Sequence, residues 1–235
     1  MEASWVLVKT SSPSLPLPPN SQREPIRTKR LVIRPMREDD LQTYHELRSQ
    51  PEAMTGTSRG TPDKNIVESR LAMRDFLPLS DKCRFLFGVF LASTGELIGE
   101  GGVHNLKSPH CGWPEIGYKF KREFWGHGFA TEFLDAFLKA WWKLPRIQAE
   151  RRVCPSSLRN LKDHQPVAVA EQVYACAEVN NKRSRRVLEK VGFVQFSEWT
   201  EPDVQEHRIG QSVTLVGYSL CKKTVAFEIS SNGQS

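Results

Sequence analysis

The stretch EIGYKFKREFWGHGFATEF, from Glu115 to Phe133, decides how this chain is read. Glu115 to Phe120 has the make-up of a short strand. From Phe129 to Trp142 a broad apolar stripe of Ala130, Phe133, Leu134, Phe137, Leu138 and Trp141 marks the strongest helix in the sequence, with Thr131, Glu132, Asp135 and Lys139 outside it. Between the two the chain turns through Gly126 and Gly128. A glycine-bearing turn that runs straight into a helix offers successive unpaired N–H groups, and with no side chain in the way a phosphate approaches them closely. The same pattern also serves as a plain strand-to-helix turn, so the glycines alone do not choose. The chain has no G-x-x-x-x-G-K-S/T, and no G-x-G-x-x-G at this junction, which disfavours an ordinary kinase or dinucleotide site.

Upstream, Arg30 to Pro35 reads as a strand, and the acidic Glu38, Asp39 and Asp40 open a helix through Leu41, Tyr44, His45 and Leu47 that Pro51 stops. A second helix is expected from Asp63 to Phe76, ended by Pro78. Phe85 to Leu91 and Leu97 to Val103 read as an antiparallel hairpin turning at Gly95. Downstream come a strand from Gln172 to Ala177, a helix from Ser184 to Val191 closed by Gly192, and strands near Phe193 to Trp199 and Ser212 to Leu220. Residues 145–170, with Pro145, Pro155, Pro166 and the pair Arg151 and Arg152, are expected to be a long, poorly ordered connection or insertion.

Between Ser11 and Pro25 five of fifteen residues are proline and four are serine, a composition that favours extended or mobile chain. Residues 1–25 are therefore expected to be a tail, although Trp5 to Val8 has the composition of a short docking strand. Residues 224–235 read as a second, polar tail, which leaves one domain over 26–223. With 235 residues, 39% hydrophobic and 26% charged, the chain is large enough to bury a full core. No apolar run approaches the roughly 20 residues that span a bilayer, which excludes an integral helical membrane protein. Met1 to Lys9 lacks a basic start followed by an apolar run, so a cytoplasmic protein is expected. The five cysteines are scattered and never spaced C-x-x-C, which disfavours a disulfide framework and a zinc site, and no metal is expected. A net charge of +6 suits an anionic ligand but is mild for a nucleic-acid binder, and the basic helix near 182–190 has no interleaved aromatic residues.

Three blocks in this order and spacing resemble the GNAT superfamily of N-acetyltransferases, in particular its RimJ/RimL-like branch. They are Thr28 to Asp40, Glu115 to Tyr118 with Phe124 to Glu132, and Asn181 to Phe193. The resemblance covers roughly residues 26–222 without 145–170. It implies an α/β (α+β) fold whose mixed, mostly antiparallel twisted sheet is flanked by helices and splayed between two central strands that hold acetyl-CoA.

The superfamily writes its pyrophosphate turn Q/R-x-x-G-x-G/A. Here Gly128 and Ala130 match, and Trp125 stands where Gln or Arg often does. Because the turn works through backbone N–H groups, the resemblance gives cofactor contacts to Phe120, Trp125, Gly126, His127, Gly128, Phe129, Ala130 and Thr131. His127 adds charge there or simply faces solvent. Asn181 matches the asparagine that bonds the pantetheine arm and is equally an N-cap, and Ser184 contacts the cofactor or belongs to the cap alone.

Acetyl transfer needs a neutral amine, whereas an α-amine or a lysine is largely protonated at pH 7, so a carboxylate acting directly or through water is expected as base. Glu115 looks like the strand glutamate that serves this role in several relatives, and Glu178 is the second candidate. Many relatives protonate the departing thiolate with a Tyr seven residues after the asparagine. Here that position is Leu188, which leaves Tyr118 as a substitute. The expected activity is acetyl-CoA-dependent transfer to a primary amine, a peptide N-terminus or a small molecule. A non-catalytic acyl-CoA-binding or interaction module is the alternative that Leu188 raises. The expected partners are acetyl-CoA and the amine acceptor, with neither nucleic acid nor membrane.

Overall fold

The structure, a computed structural model, describes residues 5–158 and 168–222. The chain runs β1 (Val6–Pro13), β2 (Ile26–Arg27), β3 (Leu31–Arg34), α1 (Leu41–Arg48), α2 (Pro51–Met54), α3 (Ile66–Met73), β4 (Phe85–Leu91), β5 (Leu97–Asn105), β6 (Glu115–Phe120), α4 (Phe129–Lys143), β7 (Arg146–Val153), β8 (Gln172–Glu178), α5 (Lys182–Val191), β9 (Val194–Pro202) and β10 (Ser212–Cys221). Pro51 ends α1 and also starts the single turn of α2, as a proline does at a first helical position.

An eight-stranded sheet runs in the order β2-β3-β4-β5-β6-β8-β10-β9. Every neighbouring pair is antiparallel except β6 with β8, which lie parallel and share one register pair, Glu115 with Tyr174. The Tyr174 N–H also donates to the Pro114 carbonyl at 2.8 Å. Past this junction the two strands diverge, so the sheet is forked at its centre. Helices cover both faces. The apolar stripe of α4 buries Phe133, Leu134, Phe137, Leu138 and Trp141 against Ile98, Ile116, Phe120, Val173 and Val216, and Leu188 of α5 joins the same core. Each such side chain contributes about 1.5–3 kcal/mol of burial. On the opposite face α1 and α3 pack Leu41, Tyr44, Leu47 and Met73 on Leu86, Phe90 and Leu97.

Two expectations from the sequence are corrected. Residues 5–25 are not a mobile tail. β1 pairs antiparallel with β7 over its whole length, from Val6 with Val153 to Pro13 with Arg146, as a separate two-stranded sheet. Val8 and Leu17 are buried, and Arg23 donates to the carbonyls of Pro18, Asp81 and Arg84 while lying over the rings of Phe85 and Phe87. Nor is 145–170 a featureless connection, since β7 occupies its first half. The hydroxyls that suggested disorder are bonded far along the chain. Thr10 donates to the Val169 carbonyl, Ser11 to Glu171, and Ser12 accepts from Arg151. Residues 159–167 and the expected tail at 224–235 lie outside the described residues. Among the described residues no helix is long and apolar enough to cross a membrane.

Candidate active site

The turn between β6 and α4 takes its shape from its glycines. Gly126 and Gly128 have φ of +82° and +81°, the left-handed region in which other residues are strained. Gly128 is the N-cap of α4, and no side chain caps that helix, so the N–H groups of its first turn point outward unpaired. A Cβ placed on Gly126 would meet nothing within 4 Å, so the approach to those donors is open. This is the geometry an anionic pyrophosphate requires, and the residues present fit that group.

A clamp that sequence reading did not find holds the turn. Glu132, one turn into α4, accepts from the Thr28 hydroxyl at 2.6 Å and from Arg30 through its backbone N–H at 3.0 Å and Nε at 2.7 Å. Arg30 Nη1 donates to the His127 carbonyl at 2.9 Å, and its guanidinium lies 4.3 Å from the centre of the Phe129 ring. Burial alone would raise the Glu132 carboxyl, but the bonds from Thr28 and Arg30 outweigh it and hold the group below the usual carboxylate range. His127 itself is exposed. Trp125 donates its Nε1 proton to the Phe120 carbonyl at 2.8 Å, and Arg122 and Arg183 sit 5.4 and 5.3 Å from its ring. The side chain at the unusual position thus collects two cations beside the turn.

On the other wall of the fork, the Asn181 side chain accepts from the Ser184 N–H at 3.1 Å and caps α5. Its amide nitrogen lies 3.5 Å from where a Cβ on Gly56 would stand, so it faces the loop after α2. Ser184 Oγ meets Tyr118 Oη at 3.1 Å across the cleft. Burial pushes the Tyr118 phenol up to about 12, against the Ser184 bond, so the hydroxyl stays protonated. Leu188 is buried in the core. The Lys121 N–H donates to the Ile98 carbonyl, and alternation along the ladder turns the N–H groups of Tyr118 and Phe120 away from β5, toward the opening.

The two carboxylates lie on the face toward α1 and α3. Glu115 sits at the closed end of the fork with Asn105 Nδ2 at 3.3 Å and His104 Nε2 at 3.7 Å. Burial would raise its carboxyl, but the neighbouring His104, with help from Asn105 and Ser108, holds it below the usual range. Glu178 is held differently, by both terminal nitrogens of Arg208 at 2.5 and 3.2 Å. Arg208 also reaches Asp203, and Gln205 of the same loop donates to the carbonyls of Thr55 and Thr57, so this loop is tied to the one after α2. The structure therefore brings Tyr118, Ser184 and the strand N–H groups together at the opening on the α4 and α5 side, with Glu115 at the junction on the opposite face of the sheet. Glu178 stands at the far end of β8 in an ion pair. Among the described residues no group of three or more His, Cys, Asp and Glu side chains is placed to hold a metal.

A forked sheet with an anion-binding turn at its open end defines a class of acyl-CoA-using transferases. Residues 30–194 match the acetyltransferase (GNAT) domain family, and the chain belongs to that family, whose acyl donor is acetyl-CoA. It is 29% identical over 142 residues to an uncharacterized N-acetyltransferase p20 of Bacillus licheniformis, covering 59% of this chain and 78% of that protein. Its fold is similar to a GNAT-family acetyltransferase of Bacillus anthracis, with a TM-score of 0.61, 20% identity and coverage of 84% and 98% of the two chains. It is similar to the same degree, at 15% identity, to the RimL ribosomal L7/L12 alpha-N-protein acetyltransferase solved in complex with coenzyme A, covering 84% and 98%.

Proposed function

We propose that the chain transfers the acetyl group of acetyl-CoA directly to a primary amine. The pyrophosphate binds the turn of Gly126 to Thr131, the pantetheine arm runs along the opening past Asn181, and the amine enters from the face of α1 and α3. The observation that carries this reading is the single register pair joining β6 and β8, which opens a slot whose two sides carry complementary chemistry. One side offers unpaired N–H groups for phosphates. The other holds the anion of Glu115, kept charged at neutral pH, toward which an ammonium is drawn and its proton moves.

The N–H groups of Tyr118 and Phe120 that face the opening supply donors for the negative charge growing on the thioester oxygen. Tyr118, protonated and bonded to Ser184, stands in for the acid that Leu188 is unable to supply. Glu178, held by Arg208, braces the loop that borders the acceptor rather than taking a proton. A ribosomal-protein alpha-N-acetyltransferase among the similar structures makes a peptide N-terminus one acceptor to test beside a small amine. The test is release of CoA thiol with acetyl-CoA and a panel of N-terminal peptides, polyamines and amino acids. Turnover with peptides alone supports the branch, turnover with small amines alone moves the chain out of it, and thiol release with none supports the non-catalytic alternative.

A further inference from the structure

His104 was not singled out by its sequence context, and the fold places it at the centre of the site. A bulge between Val103 and Asn105 interrupts the pairing of β5 with β6 where His104 stands. Its ring lies over the middle of β6. A Cβ on Gly117 would come within 3.1 Å of His104 Cε1 and 3.2 Å of Nδ1, so the ring holds this position because residue 117 has no side chain. Nε2 points back at Glu115 Oε1, 3.7 Å away. The imidazole is 37% exposed and the carboxylate behind it 13%. Something arriving from the acceptor face therefore meets the ring first and the carboxylate second.

We propose that His104 takes the proton from the incoming amine, with Glu115 behind it as the positioning carboxylate. The proposal rests on the acetyl-transfer reading above and changes which group acts as base. Glu115, with Oε1 3.7 Å from Nε2, favours the tautomer protonated on that nitrogen and so leaves Nδ1, beside Gly117 and two residues from the fork junction, to take a proton. As the amine nitrogen bonds to the acetyl carbon and the carbon–sulfur bond breaks, the sulfur leaves with its electron pair. The amine proton goes to Nδ1 and from there to the sulfur or to water.

The other ionisable groups around Glu115 are Cys111, before β6, and Tyr174 and Cys176 on β8. Burial pushes the two thiols up to about 12 and about 11 and raises the phenol as well, so all three are neutral. Glu201, which faces Cys176, is taken up by Trp199 Nε1 at 2.8 Å and stands near His110 at 3.8 Å.

The test has two arms on the full chain. In the first, the ring nitrogen NMR shifts of His104, assigned by their loss in His104→Gln, report its tautomer without any ligand. The wild type is expected to carry the proton on Nε2, beside Glu115, and Glu115→Gln to show a mixture of the two tautomers. The same tautomer in both proteins would overturn the pairing. In the second, turnover is measured with an amine that the wild type acetylates. His104→Gln should lower kcat about 100-fold, with acetyl-CoA affinity by calorimetry within twofold and the melting temperature kept. Added imidazole should restore part of the rate to His104→Ala. Full turnover by His104→Gln beside a dead Glu115→Gln would make Glu115 the direct base and overturn the proposal. A wild type that turns over no amine sinks the transferase reading and this proposal's catalytic step with it, while the first arm still reports whether the pair exists.

Discussion

Glu132 shows how much one carboxylate can organise. It joins the turn between β2 and β3, where Thr28 and Arg30 stand, to the first turn of α4, and Arg30 in turn holds the His127 carbonyl inside the anion-binding loop. Replacing it by Gln should therefore weaken acetyl-CoA binding without touching the ligand, a loss calorimetry will read as a few-fold rise in Kd. It should also cost about 1 kcal/mol of stability at pH 7, a small figure because Arg30 is partly exposed and solvent screens the pair. The sign with pH follows from the direction of the shift. A carboxyl whose folded value is depressed contributes stability above its unfolded value near 4.5 and loses it as pH falls through the folded one, so the two proteins should melt alike in strong acid. Gly128 gives a second prediction at this scale. At φ of +81° a valine there is strained whatever the space around it, and its side chain would crowd the donors. Gly128→Val should abolish acetyl-CoA binding while the domain still folds, and unchanged affinity would remove the turn from the site.

Among the elements, those with a local signature were legible and those made by distant pairing were not. The stripe of α4, the glycines of its turn and the limits of β6 could be read because each is written within a few neighbouring residues. β7 could not, for only Val153 among its eight residues is buried and the charged Glu150, Arg151 and Arg152 hide the alternation. Its partner β1 lies in a Pro- and Ser-rich stretch whose hydroxyls find acceptors more than a hundred positions away. The base pair at the site failed for a related reason, since nothing in the run from Val103 to Asn105 announces a bulge that swings His104 over Gly117. The consequence is testable at Leu17, which a mobile tail would leave exposed and the structure buries. Leu17→Ala should destabilise the protein by about 2–5 kcal/mol in denaturant unfolding. A change below about 0.5 kcal/mol would return this segment to the solvent.

At the scale of the whole molecule, the fork separates two chemistries by the thickness of one sheet, and direct transfer through the gap needs no acylated enzyme. Cys176 is a candidate nucleophile two residues along β8 from Tyr174, and burial pushes its thiol up to about 11. A thiol held neutral is a poor nucleophile. Mass spectrometry of enzyme quenched after mixing with acetyl-CoA alone should find Cys176 unmodified, and a stoichiometric acetyl group that moves on when amine is added would establish a covalent route.

The small sheet of β1 and β7 also sets a schedule. Ser12 and Arg151, which meet across it, are 139 positions apart in the chain. At the usual pace of about 5–20 residues per second, a ribosome finishes β1 roughly 7–30 s before β7 exists to receive it. During that interval β1 waits without its partner. Contacts of such long sequence separation form late in folding. The pairing of β1 with β7 seals Trp113 and Tyr174 beside the root of the fork.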